Sequence, residues 1–224
     1  GRIEDQPLCI GEHSFRRRLF IGTGKYKDVA ETQQALAASG AEVVSFHEGS
    51  ITAYSYLQSA TRDELMEVAE EVPGGPSCVT LAEISARHGV PVLAGLVERD
   101  GEDIYNTYVC MTPDGPVARF RKLHAFLNPH LSSGSEFCVF DLLGCRMGIL
   151  ICYDNNLVEN VRITALMGAE IIFMPHVTGC LPSVMPGRGL VDPTLWANRH
   201  DDPASLRQEL DGPKGRDWLM RWLP

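Results

Sequence analysis

Apolar and polar positions along the chain recur with two periods, and the switches between them mark the elements. Short apolar runs at 8–10 and 18–21, around Gly11-Glu12-His13-Ser14, predict strands, with a Gly-Thr-Gly loop at 22–24. Val29, Ala30, Leu36 and Ala37 fall near helical spacing and predict a helix over 27–38 that Ser39-Gly40 stops; 41–46 then predicts a buried strand. The pattern repeats with helices over 62–71 and 77–88, strands over 91–98 and 105–112, and a turn at Pro113-Asp114-Gly115. Strands over 137–142, 146–152 and 170–174 follow, with a helix over 158–167 between the last two. Strands alternating with helices predict a layered α/β domain, and the pair over 91–112, joined through Asp100-Gly101, makes its sheet mixed. After Pro175, the residues Pro182, Pro186, Gly187, Gly189 and Pro193 predict an extended loop, before short helices over 203–210 and 215–222. The chain stops at Leu223-Pro224, with Trp218, Trp222 and Leu223 as apolar surface in need of a partner, so a truncated domain is expected.

Composition narrows the class of partner. The 224 residues are 44% apolar and 22% charged, ordinary for a globular chain of one large or two small domains. A formal net charge of −9 supplies no broad basic surface, so neither nucleic acid nor an anionic membrane is an expected partner. No apolar stretch approaches the ~20 residues that cross a bilayer, and Glu4, Asp5 and Arg16-Arg17-Arg18 stand where a signal peptide needs an apolar core, so the cytoplasm is the expected location. The seven cysteines include no C-x-x-C pair and are expected as reduced, mostly buried thiols. The histidines form no H-E-x-x-H or short ligand pair, so no metal site is expected. Gly22-Thr23-Gly24-Lys25 is not a phosphate loop, because Leu19 stands where the first glycine is needed and Tyr26 where Ser or Thr would hold magnesium.

Three residues can carry chemistry. Cys152 ends the apolar run Gly148-Ile149-Leu150-Ile151, where a thiol can sit at the lip of a sheet beside the backbone N–H groups of the next turn; buried packing is the alternative. Glu48 closes an apolar strand, where a carboxylate can act as a general base, or can simply be solvated. Lys122, in Arg119-Phe120-Arg121-Lys122-Leu123-His124, can stabilise a developing negative charge, or belong to a cationic strand or loop edge. His176, after Met174-Pro175, can line a pocket at the sheet edge, or be a loop histidine.

Five stations stand in order: Phe46-His47-Glu48-Gly49 with Tyr54, Gly95-Leu96-Val97-Glu98, Tyr105-Asn106-Thr107, Arg121-Lys122-Leu123-His124 and Ile151-Cys152-Tyr153-Asp154. Over residues 41–224 the chain resembles the nitrilase superfamily of carbon–nitrogen hydrolases. The resemblance implies an α-β-β-α sandwich with mixed sheets, incomplete at its C-terminus, and no cofactor. It implies Glu48 as base, Lys122 as partner of the oxyanion and Cys152 as nucleophile, attacking a small amide, carbamoyl or nitrile substrate and releasing ammonia. Tyr153-Asp154 is similar to the amidase and carbamoylase branches, so an amide is the preferred substrate. The family's further glutamate after the lysine segment is replaced by Leu127-Asn128-Pro129-His130, where Asn128 or His130 can substitute; Tyr54, Tyr153 and His176 complete the implied substrate site. A homodimer or higher homo-oligomer is implied as well.

Residues 7–45, with Gly22-Thr23-Gly24-Lys25-Tyr26 and Gly40-Ala41-Glu42-Val43-Val44, resemble instead the start of bacterial thiazole synthase. One hydrolase-like domain over 1–224 is therefore expected to join a foreign strand-helix-strand segment (1–45) to a nitrilase-like one (46–224). Two other functions stay open: an inactive fragment or fusion product that acts as an interaction module, and a thiazole-synthase-like enzyme. The second needs an imine-forming lysine, and the only lysines are Lys25, Lys27, Lys122 and Lys214.

Overall fold

A computed structural model describes residues 8–10, 13–15, 40–177, 189–190, 192–211 and 221–222. The chain divides into two compact units, Gly1–His176 and Val177–Pro224.

The first unit opens on an antiparallel hairpin of β1 (Leu8–Ile10) and β2 (His13–Phe15). His13 and Ser14, part of the expected turn, are thus themselves strand. The strand expected over 18–21 and the helix over 27–38 lie outside the described residues. There follow β3 (Val44–Ser45), α1 (Tyr54–Ser59), α2 (Arg62–Val68), α3 (Pro76–His88), β4 (Val92–Asp100), β5 (Asp103–Thr112) and β6 (Gly115–Arg121). Then come β7 (Cys138–Leu142), β8 (Cys145–Ile149), a 3-10 turn (Cys152–Asn156), α4 (Val158–Leu166) and β9 (Ile171–Phe173). Local signals account for the boundaries. Thr61 and Glu64 form a reciprocal capping box at the start of α2, while Pro76 opens α3 and Gly89, at φ 65°, closes it.

One sheet has the order β3-β4-β5-β6 and the other β7-β8-β9, and both are mixed: β3 with β4 and β8 with β9 are parallel, the other pairs antiparallel. Side chains alternate across each strand, so the period of two assigns the layers. Leu93, Tyr108, Cys110 and Phe120 of the first sheet meet Phe140, Leu142, Met147, Ile149 and Phe173 of the second in one buried cluster. Their neighbours Val92, Ala94, Leu96, Val109 and Met111 face the other way, onto Cys78 and Leu81 of α3. On the second sheet, Thr164 of α4 lies against Gly148. The order of layers is therefore helix, sheet, sheet, helix, the sandwich expected. No helix among the described residues is long and apolar enough to cross a membrane.

The second unit holds β10 (Gly189–Leu190), α5 (Pro193–Ala197), α6 (Pro203–Asp211) and β11 (Arg221–Trp222), with β10 and β11 parallel. The extended loop expected after Pro175 thus contains α5, which Asp192 caps by accepting from Thr194 N at 2.7 Å. Arg221–Trp222 is strand where a helix was expected over 215–222, of which 215–220 lie outside the described residues; aromatic residues favour strands.

Glycine 95 decides where the chain goes after β3. Gly95 N donates to Ser50 Oγ at 3.1 Å and Gly95 O accepts from Ile51 N at 3.0 Å, so residues 48–51 lie directly on β4. A Cβ at Gly95 would collide with Gly49 N and come within 3.2 Å of the Glu48 carbonyl carbon. Gly95→Ala should therefore lower the unfolding free energy in urea by roughly 1–3 kcal/mol. Gly74→Ala, whose added methyl meets nothing within 4 Å, should change it little. Equal stability of the two variants would contradict this close approach.

Candidate active site

The alternation that builds the sandwich also sorts the charges of β6. Arg119 and Arg121 fall on the helix-facing side and Phe120 on the sandwich side, and Lys122 continues the sandwich side just past the strand, its N–H donating to Asn106 O at 2.9 Å. What looked like a cationic run is thus two separate faces. Outside, Arg121 bonds Glu98 and Asp100, and its guanidinium lies 3.9 Å from the Tyr105 ring centroid. Inside, Lys122 is 2% exposed and meets Glu48, which is fully buried.

Glu48 Oε1 accepts from Lys122 Nζ at 2.5 Å and from Asn106 Nδ2 at 2.8 Å. Glu48 Oε2 and Asn106 Oδ1, both buried, have no hydrogen-bond partner among the described residues. The Lys122 ammonium also lies 5.8 Å from the Phe126 ring centroid. A buried pair of this kind is held by geometry, because removing either charge leaves the other uncompensated, at a cost of about 3–5 kcal/mol.

Cys152 arrives from the second sheet. Leu150 N donates to Phe173 O at 3.0 Å and Cys152 N to Pro175 O at 2.9 Å, continuing the parallel pairing of β8 with β9. Cys152 itself has φ 49°, a left-handed conformation unusual for a residue with a side chain. Asn155 Nδ2 holds the turn by donating to Leu150 O at 2.8 Å and Cys152 O at 3.1 Å. Asp154, fully buried, then ties the turn to the lysine segment: Oδ2 accepts from Leu123 N at 3.1 Å and Oδ1 from His124 N at 2.9 Å. Burial raises the Asp154 carboxyl above its ordinary range, against the opposing pull of these two N–H groups and of Lys122. On the other flank, His176 remains accessible, yet partial desolvation lowers its imidazole; Glu48 opposes that shift and Lys122 adds to it.

Of the other residues singled out from sequence, Tyr54 opens α1 beside Gly49, and Tyr153 is 39% exposed with its ring edge-on to Phe126 at 5.0 Å. Asn128 turns elsewhere: its amide donates to Leu57 O at 3.0 Å and Ala60 O at 2.8 Å and accepts from His130 N at 2.9 Å. Both N–H groups of that amide are engaged by α1 and the residue after it, and His130 is exposed. Sequence reasoning did not assign Asn106 or Asp154. Asn106 had a signal, since it is the polar member of the period-two series Ile104, Asn106, Tyr108, Cys110. Asp154 stood only as the last residue of its station, and nothing pointed to its partners, which are backbone groups 30 and 31 residues away. Among the described residues no group of three or more His, Cys, Asp or Glu is arranged to hold a metal ion.

The chain as a whole is similar to known proteins. The carbon-nitrogen hydrolase family model matches residues 24–198. A nitrilase of Pyrococcus abyssi is 31% identical over 81% of this chain and 71% of its own length. Human omega-amidase NIT2 is 31% identical over 62% of this chain and 52% of its own length, so the chain matches about half of that relative. Among solved structures, Saccharomyces cerevisiae Nit3, of the nitrilase superfamily, superposes with a TM-score of 0.57 at 22% identity, over 66% of this chain and 56% of that one. The chain belongs to the carbon–nitrogen hydrolase family.

Replacing Asp154 isolates the tie between the two sheets. Asp154→Asn presents an NH2 to one of the two backbone N–H groups and should cost about 1–3 kcal/mol of stability. The native carboxyl titrates above 3.8, its ordinary value, so below neutrality the folded state binds more protons than the unfolded one. The wild type's advantage over Asp154→Asn should accordingly widen as pH falls through that window. Urea titrations at several pH values would test this, and a constant gap would refute the assignment.

Proposed function

We propose that the protein hydrolyses the carbon–nitrogen bond of a small carboxamide through a thioester on Cys152. The observation that carries this reading is the buried Lys122–Glu48 pair at 2.5 Å, with Asp154 binding the residues after Lys122 to the turn that Cys152 begins. Glu48 takes the thiol proton as Cys152 Sγ attacks the carbonyl carbon. The resulting oxyanion is received by Lys122 Nζ and the Tyr153 backbone N–H. Collapse breaks the C–N bond, the proton held by Glu48 goes to the departing nitrogen, and ammonia leaves. Water then gives its proton to Glu48 and adds to the thioester, releasing the carboxylic acid and restoring the thiol. The scheme calls on no cofactor.

Tyr54, Tyr153 and His176 line the substrate side, while Asn128 and His130 act from behind it by fixing the end of α1. A homo-oligomer in the cytoplasm is the assembly and place that accompany this reading.

The remaining thiols supply a contrast. Burial pushes Cys110 up to about 12 and Cys78 and Cys145 up to about 11, so these resist alkylation near neutrality. Iodoacetamide should label Cys152 ahead of all three in a pH series read by peptide mass spectrometry. Cys152→Ala should lower ammonia release from primary amides by at least roughly a thousandfold, with Cys9→Ala, an exposed position, unaffected. Ammonia release that survives Cys152→Ala would sink the proposal.

A further inference from the structure

Two buried acceptor atoms lack a partner among the described residues on the side chains that meet at Glu48 Oε1. Glu48 Oε1 is committed to two donors, Lys122 Nζ and Asn106 Nδ2, whereas Glu48 Oε2 and Asn106 Oδ1 have none among the described residues. Glu48 is 0% and Asn106 1% exposed, so bulk water does not routinely satisfy either atom. Each orphan is the second polar atom of a planar group whose first atom takes part in the Asn106–Glu48 hydrogen bond. Both belong to the two side chains that this bond joins, and both are acceptors. The assignment of the Asn106 amide follows from that contact, because only its NH2 can donate to Oε1.

We propose that Asn106 determines specificity: its Oδ1, with Glu48 Oε2, accepts the two N–H groups of an unsubstituted carboxamide, so the site selects –CONH2 over a nitrile of the same acyl chain. This rests on the reading of Glu48, Lys122 and Cys152 given above. An amide NH2 offers two donors to two acceptors. A nitrile nitrogen offers only a lone pair, faces both acceptors unfavourably, and leaves them unpartnered. Sites built to pair a buried polar group discriminate strongly against analogues that lack it. The same contact fixes the division of labour within Glu48: Oε1 is held by its two donors, and Oε2 is the oxygen that exchanges the proton with the departing nitrogen.

The test crosses substrate with residue. Straight-chain primary amides and the nitriles of matching length are assayed for ammonia release with the wild type, Asn106→Leu and Asn106→Ser. Removing Asn106 also removes a donor to Glu48 Oε1, which lowers both reactions, and any general loosening of the site does the same. Only the ratio of kcat/KM for amide over nitrile isolates Oδ1. The wild type should favour the amide at least tenfold, and both variants should cut that ratio at least tenfold. A wild-type ratio near one, a nitrile preference, failure to turn over any amide of the series, or equal loss of both activities in the folded variants would overturn the assignment. Cys152→Ala run alongside separates the two ideas. Turnover that needs Cys152 but shows no amide preference refutes the role of Asn106 alone, whereas turnover indifferent to Cys152 refutes the thioester scheme.

Discussion

The burial of opposite charges on Lys122 and Glu48 is the constraint around which the rest is arranged. Moving either ion out of water costs several kcal/mol even after the surroundings relax, and only a short, well-oriented contact offsets it. The contact is met from two chain segments 74 residues apart. The lysine comes from the end of an edge strand whose alternation turns it into the sandwich. The glutamate comes from a chain that leaves β3 and crosses β4 at the glycine where no side chain intervenes. Each contribution is useless without the other, so the order of strands β3 to β6 and the glycine at 95 are conditions of the charge pair as much as features of the fold.

The cysteine is presented by different means. Its backbone is held in a left-handed conformation, which costs of order 1–3 kcal/mol and persists only where the surroundings over-determine it. Here the determinants are visible on both sides: the bond to Pro175 before the turn, the Asn155 amide within it, and the Asp154 carboxylate after it. The carboxylate matters most for coherence, since it accepts from the two residues that follow Lys122. The cation thus comes from one sheet and the thiol from the other, and Asp154 couples them directly rather than through the apolar layer alone. Small shifts between the packed sheets would otherwise appear in full at the site.

Much of this was legible in sequence, for identifiable reasons. Strands β4, β5 and β8 and helices α2 to α4 carry strong periodicity and standard boundary residues, and their positions follow from those signals. The strand β6 was not anticipated, because it starts Gly115-Pro116, and a proline is tolerated only where no ladder partner is required; β6 is indeed the last strand of its sheet. Helix α1 is six residues long with no side-chain cap, too short for a period to register. Helix α5 carried a usable signal in Asp192-Pro193, a cap followed by proline, hidden among the glycines and prolines around it. At the site, Glu48, Lys122 and Cys152 announce themselves as chemical types. Whether Lys122 faces inward is a matter of parity along a strand that was not expected, and that parity could not be counted from the sequence.

Strand β6 makes a carboxylate–cation arrangement on each of its faces, and the difference between them is informative. On the outer face, Glu98 is 1% exposed and its two oxygens accept from Thr107 at 2.6 Å, Arg119 at 3.1 Å and Arg121 at 3.0 and 2.6 Å. The Arg121 guanidinium is stabilised in its charged form first by that bond to Glu98. This carboxylate is saturated, and what it does is pin the edge strand to β4 and β5. On the inner face the same chemistry is left incomplete, with one oxygen of Glu48 doubly bonded to donors and the other bare. A fold that satisfies one buried carboxylate fully with donors from β5 and β6 has the means to satisfy the second. Leaving it open is a stability cost that packing does not explain and that the proposed proton transfer at Glu48 would use.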